Sequence, residues 1–151
     1  MEPFQVIEQL TFVRLLKASF VAYPVVNAVH IAAIGALLTS VTLLDLRILG
    51  ALRTLPERPF MVLMRKVALL AFGAAALSGL LLFSVRASHY AQLPVFLAKM
   101  ALIALAGTNF VVFAAVESGK QGHGLALRFL ALLSIVLWCA TLLCGRFIGF
   151  L

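Results

Sequence analysis

Residues 18–44 read ASFVAYPVVNAVHIAAIGALLTSVTLL, a run without a single charged side chain. A helix needs about 20 such residues, rising about 1.5 Å each, to cross roughly 30 Å of hydrocarbon. The run is long enough, and it does not alternate polar and apolar positions as a barrel strand would. In lipid the backbone has to satisfy its own hydrogen bonds, so the form it takes is a helix. Three further apolar runs follow, at 67–85, 91–116 and 125–150. The chain therefore reads as all-α, an integral membrane antiparallel four-helix bundle forming one domain over residues 1–151.

Composition points the same way. Hydrophobic residues make up 64% of the chain and charged ones 11%, with a mean hydropathy of +1.16. Soluble domains are about 45–50% apolar, so the surplus apolar surface faces a lipid bilayer. The net charge of +7 does not indicate nucleic acid, because the basic residues cluster at the ends of the apolar runs, where lipid headgroups lie. Met1-Glu2-Pro3 opens on an acid with no basic stretch, unlike a cleavable signal peptide.

Between the runs the links are short. Leu55-Pro56-Glu57-Arg58-Pro59 breaks the chain after the first span, residues 86–90 join the second to the third, and Gly119 to Gly124 joins the third to the fourth. Such links bring sequential helices together antiparallel, and Pro94 suits the first turn of the third. Before the first span, residues 1–17 set Phe4, Ile7, Leu10, Phe12 and Leu15 among Glu8, Arg14 and Lys17. That pattern predicts a short amphipathic helix on the membrane surface. Arg47, Arg53, Arg58, Arg65, Lys66, Lys120 and Arg128 lie on one side of the bundle, and Arg14, Lys17, Arg86 and Arg146 on the other. The first set should be cytoplasmic, leaving both termini outside, which in a bacterial inner membrane is the periplasm.

Function has to be read from polar groups at lipid depth, since each needs a partner there. Tyr23, Asn27 and His30 follow at spacings of four and three and so share a helical face. His30 lies about 18 Å along the axis from Ala18, at 1.5 Å per residue. A deep imidazole serves as a metal or haem-iron ligand or as a proton relay, or it simply hydrogen-bonds across helices, to Asn109 or to a main-chain carbonyl. Bis-histidine haem would need a second deep histidine, whereas His89 and His123 fall in loops. On the third span Lys99 and Asn109 share a face. Lys99 either snorkels to the interface or presents a fixed charge to an anionic group such as a haem propionate or a quinone head. Asp45, at a helix C-terminus where the macrodipole disfavours it, should pair with Arg65, Lys66 or Arg128.

The remaining spans read as structural. Ala71, Ala75 and Gly79, with Ala74 and Ser78, form small-residue rows that allow close helix approach. Ser134, Trp138 and Thr141 share a face of the fourth span. Met100, Cys139 and Cys144 read as packing residues, and the two cysteines point too far apart for an intrahelical disulfide. Phosphate-binding glycine loops, CxxC, HExxH and paired deep carboxylates are all missing, so no catalytic residue is named and hydrolase or nucleotide-driven chemistry has no support.

Three stretches carry a resemblance. Tyr23-Pro24 with Asn27-Ala28-Val29-His30-Ile31 and Asp45-Leu46-Arg47-Ile48-Leu49-Gly50 is one; Gly79-Leu80-Leu81-Leu82-Phe83-Ser84 is the second; Lys99-Met100-Ala101-Leu102-Ile103-Ala104-Leu105-Ala106-Gly107-Thr108-Asn109-Phe110 is the third. Together they resemble the DUF6644-type bacterial membrane proteins, which are distantly similar to CopD-like copper-resistance proteins and b-type membrane cytochromes. The resemblance implies a helical bundle with haem b or copper near His30. The leading expectation is a redox-linked bundle with Tyr23, Asn27, His30, Lys99 and Asn109 around its ligand, His30 being the metal ligand, and a homo-oligomeric partner supplying what is missing. The alternatives are an accessory or anchoring subunit of a larger membrane complex, and a small cation transporter.

Overall fold

The structure, a computed structural model, describes residues 3–52, 54, 56–118 and 124–150. Arg53, Leu55, Lys120, His123 and the link at 119–123 lie outside the described residues. The elements are α1 (Pro3–Glu8), α2 (Thr11–Ala18), α3 (Ala22–Leu49), α4 (Glu57–Val85), α5 (Ala87–Tyr90), α6 (Pro94–Ser118) and α7 (Gly124–Ile148). All are helices, and α3, α4, α6 and α7 are each long and apolar enough to cross a membrane. The chain is an all-α four-helix membrane bundle.

Helix ends differ from the hydropathy reading where charged residues are involved. Helix α3 starts at Ala22 because Ser19 is extended and its Oγ accepts the Ala22 N–H at 2.9 Å, capping the first turn. It runs on through Asp45 and Arg47 to Leu49. There Gly50, at φ 95°, closes it, with the Ala51 N–H donating back to the Leu46 carbonyl at 2.9 Å. That left-handed turn favours glycine. Helix α4 begins at Glu57, well before residue 67, since charges end a hydrophobic run without ending the backbone ladder. Pro94 opens α6 as expected.

The N-terminal segment is two short helices, broken at the extended Leu10, and they cap one end of the bundle. Val13 is fully buried, Phe4 meets Phe83 edge-on at 6.2 Å, and the Glu8 carboxylate accepts the Ser88 N–H of α5 at 2.8 Å. That backbone hydrogen bond holds the Glu8 pKa below its ordinary value. We call this the capped end. The opposite, basic end carries Arg47, Arg58, Arg65, Lys66 and Arg128.

Within the bundle, α3 packs on α4, α6 on α7, and α3 on α7. Ala71, Ala75 and Ser78 of the small-residue rows are buried. Helices α4 and α6, although consecutive spans, do not pack along their lengths. Residues 86–93 intervene, and side chains bridge the two towards either end. Phe83 stacks on Phe96 at 5.3 Å at the capped end, and Arg65 pairs with Glu117 at the basic end. The large apolar side chains left outside, such as Phe20 at 98% exposure, face lipid.

Candidate functional site

Helix α3 presents one edge to α4, and His30 stands on it. The His30 Nδ1 lies 2.9 Å from the Ser78 Oγ. Ser78 has one proton, and it donates that proton to the Ala74 carbonyl at 2.6 Å. The hydroxyl therefore accepts from His30, which puts the imidazole proton on Nδ1 and leaves Nε2 with its lone pair. A ligating histidine needs this arrangement, one ring nitrogen fixed by an outer partner and the other open. Gly79 makes room for the ring: a Cβ there would stand 3.0 Å from His30 Cε1. The Ala75 carbonyl also accepts from the ring, and the Lys99 ammonium acts on it electrostatically.

Lys99, on α6, is half-buried and lies along α7. A Cβ at Gly145 would sit 3.6 Å from both its Cε and its Nζ, and Cys144 acts on it electrostatically. Among the described residues no carboxylate pairs with it. His30 and Lys99 thus both stand in the capped half, within electrostatic reach of each other.

The other sequence candidates are not gathered there. Tyr23 is half-buried nearer the capped end, and Asn27 is exposed. The buried series Ala33, Leu37, Ser40 and Leu44 runs down the side of α3 that Asn27 turns away from, about 60° round from His30 at 100° per residue. Asn109 does not reach His30; its Nδ2 donates to the Leu130 carbonyl at 3.1 Å. Arg65 is taken by Glu117 and not by Asp45, while Lys66 and Arg128 are exposed. Met100 and His89 are also exposed. Sequence reading missed the Ser78 partner. Its signal was present, as a hydroxyl beside a glycine in a small-residue row.

No protein-family model, no curated protein and no solved structure matches the chain. The chemistry of the site therefore has to be judged on its own donors. Among the described residues no three His, Cys, Asp or Glu side chains come together, so copper would need ligands from elsewhere. One open imidazole nitrogen beside an unpaired ammonium fits a narrower demand. It supplies a single axial ligand and a cation for a propionate, or a proton acceptor and a donor for a quinone head.

Proposed function

We propose that the protein is a redox-linked bundle of a bacterial cytoplasmic membrane, of the DUF6644 type, whose working site is the His30–Lys99 pair. The observation that carries this reading is the Nδ1–Ser78 hydrogen bond, which leaves the Nε2 lone pair unprotonated on a ring within electrostatic reach of an ammonium that no carboxylate pairs among the described residues. Burying such an ammonium costs free energy unless a negative group joins it. A membrane ligand with an oxygen-bearing head supplies that group. Haem b would offer a propionate to Lys99, and His30 would hold its iron together with a residue of a symmetric partner or another subunit. A quinone would instead offer neutral ring oxygens that accept hydrogen bonds from the ammonium. The positive-inside bias puts the basic end in the cytoplasm and both termini in the periplasm, so the site lies in the outer half of the membrane.

Purification from native membranes in mild detergent tests this. Wild type is expected to carry a Soret band or about one extractable quinone per site, abolished in His30→Ala and strongly reduced in Lys99→Met. Folded wild type that is colourless and free of quinone and metal would end the reading. A defined partner subunit co-purifying with such protein would then favour an accessory role.

A further inference from the structure

All four spans line a cavity of about 190 Å³ in the basic half of the bundle, away from His30 and Lys99. Its walls are mainly apolar and include Phe72, Phe110, Phe113 and Trp138. Four polar side chains, Asp45, Arg65, Asn109 and Ser134, break this lining. Asp45 is 5% exposed and Asn109 is 7% exposed, and the Asp45 Oδ2 and Asn109 Oδ1 are both buried without a hydrogen-bond partner. Unpaired buried acceptors are costly, a carboxylate most of all. The rest of the bundle does not relieve them. Arg65, which also lines the cavity, is engaged by Glu117 and lies 5.8 Å over the Phe113 ring. The Asn109 amide N–H groups are directed to Leu130. Ser134 is the one polar group that reaches Asp45 from α7.

Two acceptors in an aromatic-walled space ask for a donor with apolar substituents. A carboxylate without a cation, an amide oxygen and four aromatic side chains together suit an organic ammonium, whose charge the carboxylate neutralises and whose flanks the rings contact. A hard metal cation wants about six oxygen ligands, and the apolar wall does not offer them. Size sets the rest: an apolar cavity of about 150 Å³ holds one benzene ring, so this one takes a single ring with a short head. Access is sideways, because α4 and α6 do not pack along their lengths. Leu69, Phe72, Gly107 and Phe110 line the cavity and are also exposed to the bilayer. A Cβ on Gly107 would meet nothing within 4 Å.

We infer that this cavity is a second binding site, for a lipid-soluble organic ammonium of single-ring size that enters from the bilayer between α4 and α6 and sets its N–H groups on Asp45 and Asn109. The inference is independent of the His30–Lys99 reading, since neither residue lines the cavity.

Trp138 is the only tryptophan, so its fluorescence in lipid nanodiscs reports occupancy directly. Three probes of one shape separate the contributions: 2-phenylethylamine, 2-phenylethanol and ethylbenzene. The amine should give a saturable change at about tenfold or more lower concentration than ethylbenzene, with the alcohol between them. Asp45→Asn should remove the preference for the amine while keeping the alcohol. Gly107→Phe, which fills the opening without touching the polar groups, should abolish saturation by all three. Equal affinity for amine and ethylbenzene, no saturable response in wild type, an unchanged preference in Asp45→Asn, or undiminished binding in Gly107→Phe would each overturn the inference. If Asp45→Asn does not fold, the wild-type probe series and Gly107→Phe decide it.

Discussion

Ser78 determines what His30 is able to do. Its hydroxyl passes its proton to Ala74 and accepts the one on Nδ1, so the side chain that fixes the ring also chooses the open nitrogen. Removing an outer partner of a ligating histidine typically lowers ligand affinity about 10–100-fold. Ser78→Ala should therefore retain the fold and lose about tenfold or more of the ligand that co-purifies with wild type, read as Soret absorbance or extracted quinone per protein. An unchanged ligand content would show that Ser78 only packs. At this scale helical spacing limits which residues share a face and so singled out His30 and Lys99 as candidates, without showing what either binds. It was not informative about Asn27. Three polar residues at spacings of four and three cover a wide arc, and which edge of that arc turns inward depends on the neighbour. The carboxylate at Asp45 was expected in an ion pair, but Arg65 reaches Glu117 on α6 across the gap between α4 and α6, a contact between spans that spacing within one helix cannot reveal.

Among the elements, the N-terminal pair is held by Val13, by Phe4 against Phe83 and by one charge, Glu8. Glu8 accepts the Ser88 N–H, and this hydrogen bond, ahead of any other cause, lowers its pKa. A folded-state pKa below the unfolded one gives stability that is present above the unfolded value of about 4.3 and is lost as pH falls through the folded value. Docking of α1 on α5 should therefore hold at neutral pH and loosen below about pH 4. Hydrogen exchange at the Ser88 amide would report this as falling protection on acidification. Glu8→Gln should show weaker protection at neutral pH and little pH dependence. Protection in wild type that does not vary from pH 7 to pH 3 would mean that Phe4 and Val13 hold the segment alone. Helix number and type were legible because four long apolar runs admit no other form in lipid. Helix ends were not, since hydropathy stops at Arg65 and Lys66 whereas α4 continues back to Glu57. Pattern alone could not say that the N-terminal segment would set Phe4 against Phe83 and bury Val13 while Phe12 and Leu15 stay exposed.

For the whole molecule, two readings extend beyond single helices. The proposal drawn from the distribution of Lys and Arg is that both termini lie on the periplasmic side. A C-terminal alkaline phosphatase fusion should then be active in a bacterial host and a C-terminal green fluorescent protein fusion dark, and the reverse pair of results would invert the bundle. The gap between α4 and α6 lies beyond sequence reasoning altogether, because short links suggest that all neighbours pack and only the assembled helices show which pair does not. The claim on which the functional account rests is that the bundle holds one imidazole inward with its Nε2 open. Nitrogen-15 solid-state NMR of His30, labelled in lipid bilayers, measures this directly. The account predicts a protonated, hydrogen-bonded Nδ1 and an unprotonated Nε2 at neutral pH, a pattern disturbed by Ser78→Ala. A protonated Nε2, or a ring exchanging freely between tautomers as in water, would contradict it.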